Sequence, residues 1–161
     1  MKICCSGGYF SASHFIVFEN GFCEPLHGHN FHVEATLDAP LNEAGYAVDF
    51  LAVDQALKSI LKPWRERLLL PGKNSDFAIE RNGSQFEISY TQPDGSPLFW
   101  SIPAEHCVIL DVVNTTAELL ALTIAKRLWN RLSPQPPLNW LEICLEESQG
   151  CAAVCRSPSE E

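Results

Sequence analysis

The most informative stretch of the sequence is residues 27–37, which read HGHNFHVEATL. Successive side chains of a β-strand point to opposite faces. One face of this stretch therefore starts with His27 and His29 and continues with apolar residues, whereas the other face is polar. The alternation predicts an amphipathic strand with two imidazoles at the start of its buried face.

A partner strand is predicted just upstream, over Ile3 to Phe15, in a stretch rich in small and aromatic residues. On strand periodicity Phe10, Ala12 and His14 share one face. The segment between the two strands, Glu19 to Leu26, reads as a loop. We therefore expect an antiparallel pair joined by a loop that is long enough to carry function.

Helical periodicity occurs twice in the rest of the chain. Asp49 can cap a helix over residues 50–61, where apolar residues recur at three- and four-residue spacing. A second helix is predicted over residues 114–132, and its Thr115 and Glu118 have the spacing of a capping box.

Strand-like alternation returns near residues 77–102, where Asn82-Gly83 is a hairpin signal, and again over Leu141–Leu145 before Glu146-Glu147. The order of elements predicts a single domain over residues 1–161 of the α+β class. We expect an antiparallel sheet with two helices packed on one face, plus an extra strand-rich insertion near 77–102.

The composition excludes several classes of partner. The chain has 161 residues, with 11 Lys and Arg against 20 Asp and Glu, which gives a formal net charge of −9. Nucleic-acid and anionic-membrane binders need a basic surface, so we expect neither partner. The sequence contains no apolar run of the ~20 residues that a membrane helix needs and no signal-peptide pattern near its start. Its seven cysteines form no C-x-x-C pair, so we expect mostly free thiols and a cytoplasmic location.

The histidine spacing points to a metal. His27 and His29 share one strand face, and His14 joins them if the two predicted strands pair. Three histidines with an open fourth position for water or substrate are typical of a catalytic zinc, although other first-row metals also accept imidazole. The alternative is an ordinary hydrogen-bonded pair of histidines. We expect His32, on the opposite face, and His106 to be non-ligands.

Cys23 lies four residues before His27 in the predicted loop. A thiolate beside a divalent cation has a lowered pKa and can act as a base or a nucleophile. The alternative is that Cys23 is one more small buried side chain.

Five motifs occur in order between residues 10 and 148. They are Phe10-Ser-Ala-Ser-His14, Cys23-Glu-Pro-Leu-His27-Gly-His29-Asn-Phe31, Val48-Asp49-Phe50, Asn114-Thr-Thr-Ala-Glu118 and an apolar strand that runs into Glu147-Ser148. In this combination the sequence resembles the 6-pyruvoyltetrahydropterin synthase family, which includes the bacterial 6-carboxytetrahydropterin synthases. The resemblance implies the tunnelling fold, an antiparallel four-stranded sheet with two helices. It also implies a homo-oligomer, a hexamer built from trimers with sites between subunits.

The resemblance further implies roles for individual residues. Zn²⁺ would be held by His14, His27 and His29, with the side chain of 7,8-dihydroneopterin triphosphate at the open position, and Cys23 would transfer protons. Glu147 matches the glutamate that anchors the pterin ring.

The resemblance leaves three further residues as candidate pterin contacts. Glu146 is the rival of Glu147 as the anchor. Thr116 and Glu118 match the rim of the pocket, where Glu118 has helix capping as its alternative role.

The sequence departs from the family pattern after the first helix. Family members usually carry an Asp-His pair that activates the cysteine, and Arg65-Glu66 stands there instead. Glu66 is a tentative proton acceptor, but a carboxylate lacks the near-neutral pKa of an imidazole. The alternatives are that the stretch is a solvated charged turn, or that Arg65 or Arg67 faces the triphosphate.

The leading hypothesis is a zinc-dependent lyase-type enzyme that acts on 7,8-dihydroneopterin triphosphate or a related reduced pterin. The alternative is a catalytically altered pterin- or purine-binding relative that lacks the Asp-His relay. A third possibility is a zinc hydrolase, in which Glu24 would serve as the general base.

Overall fold

The computed structural model describes residues 1–132 and 137–157. Within these ranges the helices are α1 (Phe50–Leu61) and α2 (Ala117–Leu132). The strands are β1 (Lys2–His14), β2 (His27–Asp38), β3 (Arg67–Pro71), β4 (Ala78–Asn82), β5 (Gln85–Thr91), β6 (Pro97–Pro103), β7 (Cys107–Leu110), β8 (Trp140–Ser148) and β9 (Cys151–Ser157). The strands form one sheet in the order β7-β3-β1-β2-β8-β9 and a second in the order β4-β5-β6.

The chain divides into two compact units. The first unit comprises Met1–Phe10, Asn30–Pro63 and Ala117–Glu161, and the second comprises Ser11–His29 and Trp64–Thr116. One domain over residues 1–161 stays a prediction.

The first unit holds both helices against a sheet. In β2 the burial alternates as the sequence pattern requires, because Phe31, Val33, Ala35 and Leu37 are buried and the residues between them are not. Strand β8 pairs antiparallel with β2 and with β9, and Leu145 lies opposite Val33.

Helix packing in this unit depends on apolar stripes at helical spacing. Asp49 caps α1 as predicted, because its Oδ1 accepts a hydrogen bond from Leu51 N at 2.9 Å. Gly7 lies under α1, and a Cβ added there would lie 1.8 Å from Cδ2 of the fully buried Leu57. Helix α2 packs on α1, β8 and β9.

The second unit contains the three-stranded sheet β4-β5-β6 that was predicted as an insertion. Its core is a cluster of eight buried residues, namely Phe15, Cys23, Leu68, Leu70, Phe77, Ile88, Tyr90 and Cys107. The ring of Phe15 stacks on those of Phe77 and Trp100 at centroid distances of 5.1 and 5.0 Å. The insertion therefore shares a core with the loop that carries Cys23.

The α+β class and the two helices are confirmed, but the larger sheet is mixed rather than purely antiparallel. Strand β3 runs parallel to both β1 and β7. Strands β3 and β7 are short and lack strict polar alternation, so they carry no period-two signal. The strand β9, which extends beyond the predicted end of the sheet at Glu146-Glu147, was also missed.

Two local predictions are wrong by small shifts. The hairpin turn is Gly83-Ser84 instead of Asn82-Gly83, because Asn82 already pairs with Gln85. Thr115 is not a helix cap, because α2 begins at Ala117 and the Thr115 hydroxyl donates to Phe15 O at 2.7 Å.

Among residues 1–132 and 137–157, neither helix has the length and apolar character needed to cross a membrane.

Candidate metal centre

His14 is the last residue of β1, and its ring is 1% exposed. Its Nδ1 lies 2.8 Å from Thr115 O. A backbone carbonyl can only accept, so Nδ1 carries the hydrogen and Nε2 keeps its lone pair. The burial and this hydrogen bond fix both the orientation and the tautomer of the ring.

His27 and His29 are the first and third residues of β2, so the pleat of the strand points both rings the same way. Gly28 lies between them, and a Cβ at this position would lie 3.2 Å from Ala12 O. That distance is tight for a Cβ, so glycine allows the close approach of β1 that brings His14 to the pair.

The three rings form a compact group. One ring nitrogen from each of His14, His27 and His29 lies within 4.8 Å of the others, the only such group of metal-ligand residues within the described ranges. The ring centroids are 4.7 Å apart for His14 and His27, 5.3 Å for His14 and His29, and 4.7 Å for His27 and His29.

The donor set fits a zinc ion. Nδ1 of His27 lies 2.9 Å from Pro25 O, so the hydrogen of this ring is on Nδ1 and the lone pair is on Nε2, which lies 2.9 Å from Nε2 of His29. Two imidazole nitrogens on one tetrahedral zinc lie about 3.3 Å apart, which is close to this spacing. His32 and His106 are exposed and lie outside this group.

The loop after β1 places Cys23 in the core of the second unit, where it is 6% exposed. Its sulfur donates to Glu24 O at 3.5 Å. Burial, with a smaller contribution from the Glu24 carboxylate, raises the pKa of Cys23 to about 11. In the chain alone Cys23 is therefore a neutral thiol at neutral pH.

Glu24 points its carboxylate at the histidine end of the loop. Oε1 accepts a hydrogen bond from Ile16 N at 2.9 Å and lies 3.7 Å from Nδ1 of His27. The carboxylate is therefore tied to the backbone of the loop and stands beside a metal-ligand candidate.

Thr116 belongs to the segment that supports His14. It directly follows Thr115, whose carbonyl receives the His14 Nδ1 hydrogen bond, and it is half-buried. The structure therefore places Thr116 one residue from the partner of a metal-ligand candidate.

Glu66 lies in the turn before β3 and is exposed. Its backbone is left-handed, with φ of 59°, and its N–H donates to Ser11 O at 2.6 Å. Arg65 is exposed and Arg67 is half-buried at the first position of β3. A catalytic role for Glu66 stays a prediction.

The predicted pterin contacts Glu147 and Glu118 lie in the first unit. Glu147 is half-buried at the point where the register between β8 and β9 shifts, and such irregularities re-aim side chains. Its rival Glu146 uses Oε1 to accept from Gly150 N at 3.0 Å. Glu118 is exposed in the first turn of α2.

Sequence reasoning missed two amide side chains that hold the Cys23 loop. Gln92 bonds the backbone of Cys23, and Asn114 bonds the backbone of Val17. Asn114 lies in a recognised motif, but Gln92 is 69 residues from its partner, and no local pattern marks such a contact.

Comparison with known proteins identifies the family to which this sequence is similar. The family model described as 6-pyruvoyl tetrahydropterin synthase matches residues 5–158. A protein of Methanocaldococcus jannaschii with the provisional name 6-carboxy-5,6,7,8-tetrahydropterin synthase is 28% identical over 94% of this chain and 91% of its own length. A protein of Pyrococcus horikoshii with the same provisional name is 30% identical over 74% of this chain and 68% of its own.

Solved structures show the same fold. The 6-pyruvoyl tetrahydropterin synthase of Plasmodium vivax superposes with a TM-score of 0.87 at 26% identity, over 97% of this chain and 96% of that chain. A structure of the same enzyme with a catalytic glutamate replaced by alanine also has a TM-score of 0.87, at 25% identity and the same coverage.

Proposed function

Since the chain belongs to the 6-pyruvoyl tetrahydropterin synthase family, we propose that it is a zinc-dependent lyase that acts on a reduced pterin, 7,8-dihydroneopterin triphosphate or a close relative. The observation that carries this proposal is the group formed by His14, His27 and His29, with ring nitrogens within 4.8 Å of one another. The names of the relatives support a reduced pterin as the substrate. The three histidines support a bound metal ion.

A bound zinc would supply Lewis-acid polarisation of a substrate oxygen, which acidifies the neighbouring carbon-bound proton. The chain's own residues orient the histidine rings that would bind the metal. Thr115 O and Pro25 O hold His14 and His27 in the tautomer that binds metal through Nε2. The rings are therefore oriented before the substrate arrives.

We assign the proton transfer to Cys23. The side chain lies in a loop that ends at the metal ligands, and its thiolate form would accept the carbon-bound proton, forming an S–H bond and leaving the electron pair of the C–H bond on the substrate. Its pKa of about 11 in the chain alone leaves little thiolate at pH 7. A nearby divalent cation favours the thiolate, so the metal and the cysteine act together.

Glu24 is the alternative proton acceptor. Its Oε1 lies 3.7 Å from His27 Nδ1, and carboxylates are general bases in many enzymes. The existence of a relative with a catalytic glutamate supports this alternative. The two candidates differ in which substitution abolishes activity, so they are separable.

The same raised pKa favours a second candidate function, a pterin-binding relative with altered catalysis. The resemblance places Arg65-Glu66 where family members usually carry an Asp-His pair, and the exposed Glu66 lies in a turn. For a pterin-binding relative of this kind, the double variant Arg65→Asp with Glu66→His is expected to turn over 7,8-dihydroneopterin triphosphate, whereas the native chain does not.

For the substrate, we propose that Glu147 anchors the pterin ring and that Thr116 and Glu118 line the rim of the pocket. Glu147 is favoured over Glu146 because Glu146 Oε1 closes the β8–β9 turn on Gly150 N. A carboxylate can accept two hydrogen bonds from an amino group and a ring N–H.

We also propose a homo-oligomer of the family type, a hexamer. Strands β7 and β9 are the edges of the larger sheet, and each exposes an apolar side chain, Ile109 and Val154. Unpaired edges of this kind favour pairing with another chain. The seven cysteines are all free thiols, which supports a cytoplasmic location.

Product analysis tests the function. Zinc-loaded protein is incubated with 7,8-dihydroneopterin triphosphate, and pterins and inorganic triphosphate are measured by mass spectrometry, in parallel for Cys23→Ala and Glu24→Gln. We expect triphosphate release by the native chain and its loss in Cys23→Ala by at least about a hundredfold. Loss of triphosphate release only in Glu24→Gln would identify Glu24, instead of Cys23, as the proton acceptor. Zinc binding without turnover in the native chain would overturn the lyase proposal.

A further inference from the structure

Gln92 holds the backbone of Cys23 with both ends of its amide group. Its Oε1 accepts from Cys23 N at 2.9 Å, and its Nε2 donates to Cys23 O at 3.1 Å. The side chain thus satisfies both backbone groups of one residue, as a neighbouring β-strand does. Such a paired contact fixes the position of a loop residue more strictly than a single hydrogen bond.

The backbone of Gln92 is itself held by hydrogen bonds. Its backbone closes the turn after β5, because Gln92 N donates to Ser96 O at 2.9 Å and Gln92 O accepts from Gly95 N at 2.9 Å. Asp94 reinforces this turn through hydrogen bonds to the N–H and the hydroxyl of Ser96. The amide is therefore presented from a fixed point.

One more contact joins the insertion to the same loop, and a second set of contacts holds Cys23 from its other side. Tyr90 donates its hydroxyl hydrogen to Gly21 O at 2.5 Å, and Tyr90 and Cys23 belong to one buried cluster. On its other side, Cys23 pairs through a single bridge with Val17, whose N–H and carbonyl are both bonded by Asn114. The loop is thus held by one backbone bridge and by side chains, and the insertion supplies the side-chain contacts nearest to Cys23.

We propose that Gln92 is a positioning residue for the reaction, and that the sheet β4-β5-β6 exists in this chain to hold the Cys23 loop in place. This inference rests on the proposed function, because it assumes that Cys23 is the residue to be positioned. Gln92 acts through the backbone of Cys23 and needs no contact with the substrate.

The geometry predicts a specific kinetic effect. Without the amide, the metal ligands and the pterin anchor are unchanged, but the sulfur loses its fixed position. Small displacements of a reacting group lower the rate of the chemical step strongly, whereas substrate binding depends on other residues. The loss therefore falls on kcat and not on KM.

The experiment compares three full-length variants with the native protein, all zinc-loaded. Gln92→Ala removes both hydrogen bonds. Gln92→Glu keeps the acceptor for Cys23 N but has no donor for Cys23 O, and its shape guards against a folding defect. Gln85→Ala, which replaces the glutamine at the start of strand β5, is the matched control.

Two readouts are measured on each variant. The first is the rate at which iodoacetamide alkylates Cys23, followed by peptide mass spectrometry. The second is kcat and KM with 7,8-dihydroneopterin triphosphate, together with the zinc content.

For Gln92→Ala we expect alkylation of Cys23 to accelerate by about tenfold, because two hydrogen bonds that keep the thiol buried are gone. We expect kcat to fall by about tenfold to a hundredfold, with KM within about threefold of the native value. The zinc content should stay at one per chain in every variant. The alkylation rate and kcat of Gln92→Glu should lie between those of Gln92→Ala and those of the native protein. Gln85→Ala should match the native protein in all readouts.

The outcomes separate this inference from the proposed function. Faster alkylation in Gln92→Ala without turnover in the native protein would support the positioning role and overturn the lyase. Unchanged alkylation in Gln92→Ala and Gln92→Glu would overturn the positioning role even if the native protein is an active lyase. An equal effect of Gln85→Ala would also overturn it, because the change would then belong to the sheet as a whole.

Discussion

The histidine centre and the Cys23 loop are neighbours in sequence but are held by different means. The three histidines stand at the ends of paired strands, where backbone hydrogen bonds set their positions and carbonyl oxygens orient two of the rings. Cys23 stands in a loop with one backbone bridge and depends on the side chains of Gln92, Tyr90 and Asn114. Metal binding should therefore tolerate most nearby substitutions, whereas the thiol position should not.

The largest effect is expected from removing a metal ligand. His29→Ala leaves two nitrogens where a tetrahedral zinc needs at least three protein ligands, so zinc affinity should fall by more than about a hundredfold. Equilibrium dialysis followed by metal analysis measures it. His32→Ala is the control, because His32 lies on the same strand but is exposed beside Tyr9. Equal zinc binding by both variants would contradict the site.

The next effect concerns the strand approach that assembles the centre. In Gly28→Ala the new Cβ would lie 3.2 Å from Ala12 O, so β1 has to shift by a few tenths of an ångström and His14 shifts with it. We expect a loss of about 1–3 kcal/mol in stability and a clear loss of zinc affinity. Gly7→Ala is the comparison, because its Cβ would meet Leu57 under helix α1.

Gly7→Ala should lower the melting temperature but leave zinc affinity unchanged. If calorimetry and zinc titration show the two glycine variants to be equal in both respects, close strand approach at Gly28 is not what assembles the centre.

A third test asks whether metal and thiol are coupled. Burial raises the pKa of Cys23 to about 11, so in zinc-free protein the thiolate is scarce below that pH and alkylation of Cys23 should rise with pH up to about 11. Zinc should shift this profile to lower pH, because the cation stabilises the thiolate. The exposed Cys151 in the same sample reports reagent reactivity. Identical profiles with and without zinc would contradict a shared role for Cys23 and the metal.

The smallest effect is expected at Thr115. Thr115→Val keeps the shape and the backbone carbonyl that orients His14 but leaves Phe15 O without its donor. The cost should be about 1–2 kcal/mol, or a few degrees in melting temperature, with normal zinc binding. Loss of zinc in this variant would mean that the hydroxyl, and not the carbonyl, supports the centre.

The sequence predicts the parts of the molecule that rest on local periodicity. Alternation identifies β2 and places His27 and His29 on one face, and helical spacing identifies α1 and α2. The pairing of β1 with β2 then brings in His14. These features follow from the residues themselves, because the strand period and the helix period determine which side chains share a face.

The missed features depend on contacts between distant residues. Strands β3 and β7 are short, mostly apolar runs whose parallel pairing with neighbours depends on residues distant in the sequence. The Thr115 hydroxyl could cap a helix, but a buried carbonyl of Phe15 competes for it. Gln92 looks like any polar residue before a turn, and its role depends on a loop 69 residues away.

X-ray absorption spectroscopy at the zinc edge of the loaded protein tests the central claim most directly. We predict three imidazole nitrogens and one oxygen at about 2.0–2.1 Å, with no sulfur in the first shell. The oxygen should be exchanged when a reduced pterin is added. A sulfur at about 2.3 Å would make Cys23 a ligand instead of the proton-transfer group, and fewer than three nitrogens would contradict the histidine site itself.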